Sequence, residues 1–189
     1  MRGLLTRPAP EVGHAILGSV LSTTIDRETT AVIITEVEAY TSDDPASHSF
    51  RGRTDRNASM FGAPGTLYVY RSYGIHWCMN VTTSPEGEAS ALLLRAGTPV
   101  VGRDVMMRRR GRGDHLTDGP GKLAQSLGVT GALDGVDILD EHSPVRLERG
   151  APLPWETTPR IGISRAVDKP WRFVATGEVS SPRPAPEQR

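Results

Sequence analysis

Apolar and polar positions alternate over only parts of this chain, and those parts outline a sheet. Residues 21–24 and 31–40, LSTT and AVIITEVEAY, are rich in β-branched side chains and flank IDRE, which predicts two strands of a hairpin. In the second strand a period of two sends Thr35, Val37 and Ala39 to one face and Ile34, Glu36, Glu38 and Tyr40 to the other. Two carboxylates and a tyrosine thereby share a face. Residues 66–70 and 75–81 predict a second pair of strands joined by Arg71-Ser72-Tyr73-Gly74, with Tyr73 at or beside the tip. Alternation puts Tyr68 and Tyr70 on one face, and His76, Cys78 and Asn80 on one face of the returning strand. Ser90 to Arg95 reads as a further apolar strand, and residues 138–139, 145–147 and 173–175 as shorter ones.

Helical signals are fewer. Residues 11–17 predict a short helix ended by Gly18, and Pro99 to Arg110 a longer one stopped by Gly111. Asp118 is placed to cap a helix running to Leu127, with Gly128 at its end. Residues 41–66 form a long polar connection without periodicity, the kind of loop that is either functional or disordered. His48, Phe50, Met60 and Phe61 within it argue for order. From Val179 the composition, VSSPRPAPEQR, is that of a frayed tail, so one domain is expected over residues 1–177 and a flexible tail over 178–189. These elements together describe an α+β single domain with a mostly antiparallel sheet and a few helices at its sides.

Composition changes this picture at three points. With 22 basic and 22 acidic side chains the formal net charge is zero, which argues against a nonspecific nucleic-acid coat protein. Lys122 and Lys169 are the only lysines, so the basic set is almost all arginine, the better fork for phosphate; a GC-rich genome would produce the same bias. The run Arg108, Arg109, Arg110 and Arg112 lies where cations suit a helix C-terminus, and a solvated helix end is preferred over a dedicated DNA patch. A single cysteine, Cys78, excludes an internal disulfide and a cysteine-based zinc site. MRGLLTRPAP lacks the apolar stretch of a signal peptide and no apolar run approaches ~20 residues, so a cytoplasmic protein with no membrane association is expected.

The aromatic residues are unevenly placed. All four tyrosines, and seven of the ten aromatic residues, lie between Tyr40 and Trp77, interleaved with Arg51, Arg53, Arg56 and Arg71. Rings gathered with arginines suit the stacking of flat ligands better than they suit a core. Glu36 and Glu38 fit either a solvent-facing strand or an acid–base site; Tyr40 on the same face and His48 shortly after favour the second. Motifs for triphosphates, dinucleotides and metals are missing, so no cofactor and no metal are expected.

The stretch TEVEAYTSDDPASHSFRGRTDRNASMFGAPGTLYVYRSYGIHWCMNVTTSPEGEASALLLRAGTPVVG resembles the signature region of the alkyladenine-type 3-methyladenine DNA glycosylases. The likeness continues through DGPGKLAQSLGV and PRIGISRAVDKPWRF, and so covers the chain from about residue 30 to about residue 174. It implies a curved, barrel-like sheet and a catalytic pair: Glu38 of EVEAY as the general base acting on water, and Arg95 of LLLRA helping to hold that water and the backbone phosphate. Glu36 is not the family's base. Tyr40, His48 and Tyr70 resemble the base-pocket residues, and Asn80 the one that obstructs the amino group of normal guanine. Tyr73 resembles the residue that intercalates into the duplex. The connection from Tyr40 to His48 is one residue shorter than in some members, while Tyr68 and Trp77 read as core residues.

The implied partner is double-stranded DNA containing a damaged purine, met by a monomer at the nucleoid. The implied reaction is hydrolysis of the N-glycosidic bond of an extruded alkylated purine, leaving an abasic site. No lysine lies in the aromatic cluster, which argues against lyase chemistry through a Schiff base. Two rival readings remain: a damaged-DNA binding module that needs no chemistry at Glu38, and an N-glycoside hydrolase of free nucleosides that needs no wedge at Tyr73.

Overall fold

The predicted hairpin forms as β1 (Val20–Ile25) and β2 (Glu28–Thr41), which pair antiparallel around Asp26 and Arg27. Both turn residues take positive φ, 54° and 64°, the twist that a two-residue hairpin loop requires. The structure is a computed structural model that describes residues 1–177 and Val179; the tail expected over 178–189 lies, Val179 apart, outside the described residues.

Around β2 the chain lays β3 (Leu67–Ser72), β4 (His76–Thr82), β5 (Ser90–Val101), β6 (Val145–Glu148), β7 (Trp155–Thr158) and β8 (Arg172–Ala175). They form one curled, half-barrel antiparallel sheet in the order β3-β4-β5-β2-β1-β6, and β8 joins β2 and β7 off that path. The expected α+β fold with a curved sheet is therefore present. β2 runs through its centre: β5 pairs along one edge, while β1 lies beside residues 28–33 and β8 beside Glu36, Val37 and Glu38 on the other.

Where that second neighbour changes, β2 is not regular. Its pairing with β5 slips between Ile34 and Glu36 and again between Glu36 and Val37, leaving Thr35 and Arg95 as the extra residues. The simple alternation read from the sequence fails there. Ile34 lies in the core with Val32, Val37 and Ala39 instead of beside the glutamates, because one bulged residue resets the facing of the strand.

The core packs β2, β4 and β5 against short helices. Val32, Ile34, Val37, Met79, Leu92 and Leu94 meet Val12 of α2 (Ala9–Val12), Met106 of α3 (Arg103–Arg110) and Leu123 and Leu127 of α4 (Pro120–Leu127). Leu5 of α1 (Arg2–Leu5) closes it at the N-terminal end. The helix expected at 11–17 is instead α2 followed by a 3-10 turn over Gly13–Ile16.

Residues 99–101 belong to β5 rather than to the following helix. Gly102, at φ 69°, divides the two, and a Cβ there would lie 2.3 Å from the carbonyl oxygen of Thr29. Asp118 does not cap α4; Gly119 stands at that position, and Asp118 pairs with His115 and Lys122. Residues 138–139 form no strand, while β7, which the sequence did not single out, is short and mostly exposed.

The arginine run clamps helices together. Arg108 pairs with Glu28 on β2, Arg109 donates to the Ser126 carbonyl at 3.1 Å, and Arg110 reaches Gln125, whose amide returns to the Arg109 carbonyl at 2.8 Å. Arg112 holds Asp114 at 2.8 Å. Arg108 and Arg112 are exposed, as a solvated helix end requires, whereas Arg109 and Arg110 are half-buried against α4.

Candidate active site

The second hairpin turns over Tyr73-Gly74, with the Ile75 N–H donating to the Ser72 carbonyl at 3.0 Å and φ of 48° and 69° at the two central residues. Glycine accepts that conformation freely, whereas tyrosine there carries about 1–3 kcal/mol of strain. The Tyr73 side chain is 92% exposed and Ile75 67% exposed, so the tip projects two apolar side chains into solvent.

Beneath that tip lies a cavity of about 420 Å³, within the ~300–1,000 Å³ range of small-molecule sites. Tyr40, His48, Tyr68, Tyr70, Cys78, Asn80, Leu93 and Arg95 face it, with Arg71, Ser72 and Tyr73 at the hairpin and Ile161 to Ile163 on a loop. The sheet register explains why these residues meet. Glu38 pairs with Leu93, Leu93 with Asn80, and Asn80 with Tyr68, a row of one residue per strand across β2, β5, β4 and β3.

Glu38 stands behind the wall, 0% exposed. A buried carboxylate is tolerated only when its lone pairs are satisfied. Its Oε2 accepts from the Tyr40 hydroxyl at 2.9 Å and from Arg95 Nη1 at 3.2 Å, and its Oε1 from the Ile161 N–H at 2.7 Å. Of about four acceptor positions on a carboxylate, three are taken and one on Oε1 has no protein partner. Arg95 is aimed by its own bulge and also gives Nε to Glu36 Oε1 at 2.7 Å.

Burial pushes the Tyr40 phenol well above its usual range, and the Glu38 charge adds to it. Tyr70 is raised in the same way, by burial first and then by Cys78 and Tyr40. Tyr68 is pushed up to about 12 by burial. All three rings are therefore neutral, electron-rich surfaces at physiological pH. His48 is held below the ordinary histidine value by burial and by the nearby Arg56 charge, and so is uncharged at neutral pH. Its Nδ1 shares a 2.9 Å hydrogen bond with the Tyr68 hydroxyl, and its ring stands edge-on to Tyr70 at 4.5 Å between centroids.

The long loop from residue 41 is ordered, though Phe50, one of the side chains that argued for order, is 45% exposed. The fastening is polar. Asn57 amide hydrogens reach the carbonyls of His48 and Gly52, both at 3.0 Å, and Thr54 and Asn57 cap each other at the start of a 3-10 turn. Asp44, fully buried, pairs with the guanidinium of Arg160, which also lies 4.6 Å over the Tyr40 ring and 5.3 Å from that of Trp171.

Of the residues nominated from the sequence, Arg95, Tyr40, His48, Tyr70, Asn80 and Tyr73 line this one cavity or its rim, and Glu38 lies directly behind it, bonded to Tyr40 and Arg95 of the lining. Three others were not nominated. Arg160 and Ile161 lie within PRIGISRAVD, where nothing local distinguishes Arg160 from Arg165. Tyr68, read as core, is 2% exposed yet borders the cavity and orients His48. Among the described residues no group of three or more His, Cys, Asp or Glu side chains could hold a metal ion, and no helix is long and apolar enough to cross a membrane.

A carboxylate buried behind a pocket of tyrosines, with one acceptor position left and an arginine at its side, suits water-dependent chemistry on a planar ligand. Comparison with known proteins gives this layout a family. Residues 3–179 match the sequence profile of methylpurine-DNA glycosylase (MPG). A protein of Rhodopseudomonas palustris (strain BisB18) named "Putative 3-methyladenine DNA glycosylase" is 47% identical over 186 residues, covering 96% of this chain and 90% of the relative. Proteins of the same name from Agrobacterium fabrum and Frankia casuarinae are 51% identical over 160 residues and 47% identical over 196. These alignments cover 83% and 94% of this chain, and 81% and 90% of the relatives. The chain belongs to the methylpurine-DNA glycosylase family.

Proposed function

We propose that this protein is a monofunctional DNA glycosylase that extrudes an alkylated purine, of the 3-methyladenine type, from duplex DNA and hydrolyses its N-glycosidic bond. The observation that carries the reading is Glu38, fully buried at the back of a tyrosine-walled cavity with one acceptor position free. A base inside a duplex is reached only by taking its nucleotide out of the stack, which costs a few kcal/mol and least at a damaged pair. Tyr73, already projecting and already in its strained turn, fills the gap so created. The purine stacks between Tyr40 and Tyr70, where base–aromatic contact contributes roughly 1–3 kcal/mol. A methylated purine carries positive charge and adds a cation–π attraction to these neutral rings. Asn80, fixed by its amide donating to the Tyr68 carbonyl at 3.0 Å, obstructs the extra amino group of normal guanine.

Departure of the base leaves an oxocarbenium-like sugar. Glu38 stabilises that cation and accepts the proton of the attacking water, while Arg95 orients the water and the adjoining phosphate. A cationic leaving base needs no acid. Hypoxanthine and ethenoadenine are further candidate substrates, and as neutral bases they need a proton donor as well. The monomer is the acting form, since one chain supplies every group named here.

The test is release of free base by the metal-free protein from a duplex carrying methylated purines, a duplex carrying one hypoxanthine, and the corresponding free nucleosides. Release from duplex with the strand left unbroken at an abasic site is expected. Tight binding of damaged duplex without release would establish the binding-module reading, and preference for nucleosides the nucleoside-hydrolase reading.

A further inference from the structure

Glu36 has no part in the chemistry above, yet it is held more firmly than a spare surface carboxylate. Its Oε1 accepts from Arg95 Nε and from Arg172 Nε, each at 2.7 Å, and it is mostly buried, as both arginines are. Burial opposes its charge, but the hydrogen bonds from Arg172 and Arg95 prevail and keep it below the usual glutamate range. Arg95 passes on to Glu38 through Nη1. Guanidinium and carboxylate therefore alternate across three strands: Arg172 on β8, Glu36 on β2, Arg95 on β5 and Glu38 on β2 again. Two positive and two negative charges cancel. The bulge at Thr35 and Arg95 lies within this chain of contacts, so local backbone geometry serves it directly.

We infer that Glu36 is a positioning residue: it ties down Arg95 and, with Arg172, keeps the charge around Glu38 balanced. This inference rests on the reading of Glu38 as the base. Without the Glu36 charge the two arginines exceed Glu38 by one positive charge, which opposes a cation forming on the sugar. Arg95, released at Nε, is also free to turn its fork onto Glu38 and occupy the acceptor position that the water needs. The other charged or titratable groups near this network are Tyr40 on β2, Cys78 on β4, Glu156 on β7 toward Arg172, and the Asp44–Arg160 pair behind Tyr40. Asp44 and Arg160 offset each other, Tyr40 and Cys78 are neutral, and Glu156 is exposed, where solvent screens its charge, so the balance at Glu38 rests on the four members named.

The test is the single-turnover rate of base release against pH for wild type, Glu36→Gln, Arg172→Gln and the double variant, with thermal unfolding and binding to a duplex carrying an abasic analogue measured alongside. Glu36→Gln should slow release roughly ten- to a hundredfold with binding retained. Its acidic limb should move to lower pH, because loss of the Glu36 carboxylate leaves an excess of positive charge around the site. Arg172→Gln should move that limb the opposite way, and the double variant should bring rate and limb back toward wild type. Wild-type behaviour of Glu36→Gln, equal-sign shifts in the two single variants, or no recovery in the double variant would overturn the inference. Should Glu36→Gln fail to fold, the direction of the Arg172→Gln shift decides. A wild-type protein that releases no base would remove the underlying reading instead, and the same assay shows it.

Discussion

β2 has two faces, and they are buried by different means. Toward the core, Val32, Ile34, Val37 and Ala39 pack with Leu92 and Leu94, and other apolar side chains of similar volume would exclude water as well. On the opposite face, Glu36 and Glu38 are buried only because Arg95, Arg172, the Ile161 N–H and the Tyr40 hydroxyl meet them within hydrogen-bonding distance. The first face tolerates exchange. On the second, each group is acceptable only while its partner is present, since a buried charge left alone is worse than no charge at all.

The largest effect that separates the two faces is on stability. Arg160→Ala strands Asp44 in the interior and should cost about 3–5 kcal/mol, whereas replacing both partners by apolar residues of similar volume should recover most of it. Leu94→Ala on the core face should cost about 2–5 kcal/mol, with no partner change able to restore it and with the activity of the folded fraction kept. Urea unfolding of the four proteins checks both. If the double replacement at Asp44 and Arg160 is as unstable as Arg160→Ala, the distinction fails.

A smaller effect follows from pH. Because Glu36 is held below its ordinary value of 4.5 in the folded protein, the stability it contributes is present above that value and fades as pH falls through the lowered one. His48, held below 6.5, acts in the same direction: its neutral form favours the fold above 6.5, and that contribution declines in more acidic solution. Unfolding midpoints measured from pH 7 downward should fall in two stages, with the more acidic stage reduced in Glu36→Gln. A midpoint that does not change with pH would show that neither group is held as described.

The smallest effect on stability belongs to the hairpin tip. Tyr73→Gly relieves a left-handed tyrosine and should leave stability within about 1 kcal/mol of wild type, or slightly above it. Its single-turnover rate on duplex substrate should nonetheless fall. A variant both stable and fully active would remove Tyr73 from extrusion.

The sequence made the central hairpin and the tyrosine-bearing strands readable because their β-branched runs and turn residues act locally. Tyr68 with Tyr70, and Cys78 with Asn80, share faces as a period of two requires. What it concealed was set by contacts between distant segments. The bulge that returns Ile34 to the core arises where β8 replaces β1 beside β2, and nothing in TEVEAY marks that change. Pro99 to Val101 extend β5 although a helix start fits them equally well, the decision falling to the close approach of Thr29 at Gly102. Arg160 reaches Asp44 across more than a hundred residues. The site residues themselves came from a family resemblance spread over several blocks, which encodes such distant contacts without displaying them.

The proposed chemistry turns on Glu38, and the most direct test is single-turnover base release from methylated duplex by wild type and Glu38→Gln, with binding to an abasic analogue measured on the same preparations. Wild type should release free base and Glu38→Gln almost none, the two binding the analogue alike, because the amide keeps the shape of the carboxylate and loses its charge. Release by Glu38→Gln at the wild-type rate would remove Glu38 from the reaction.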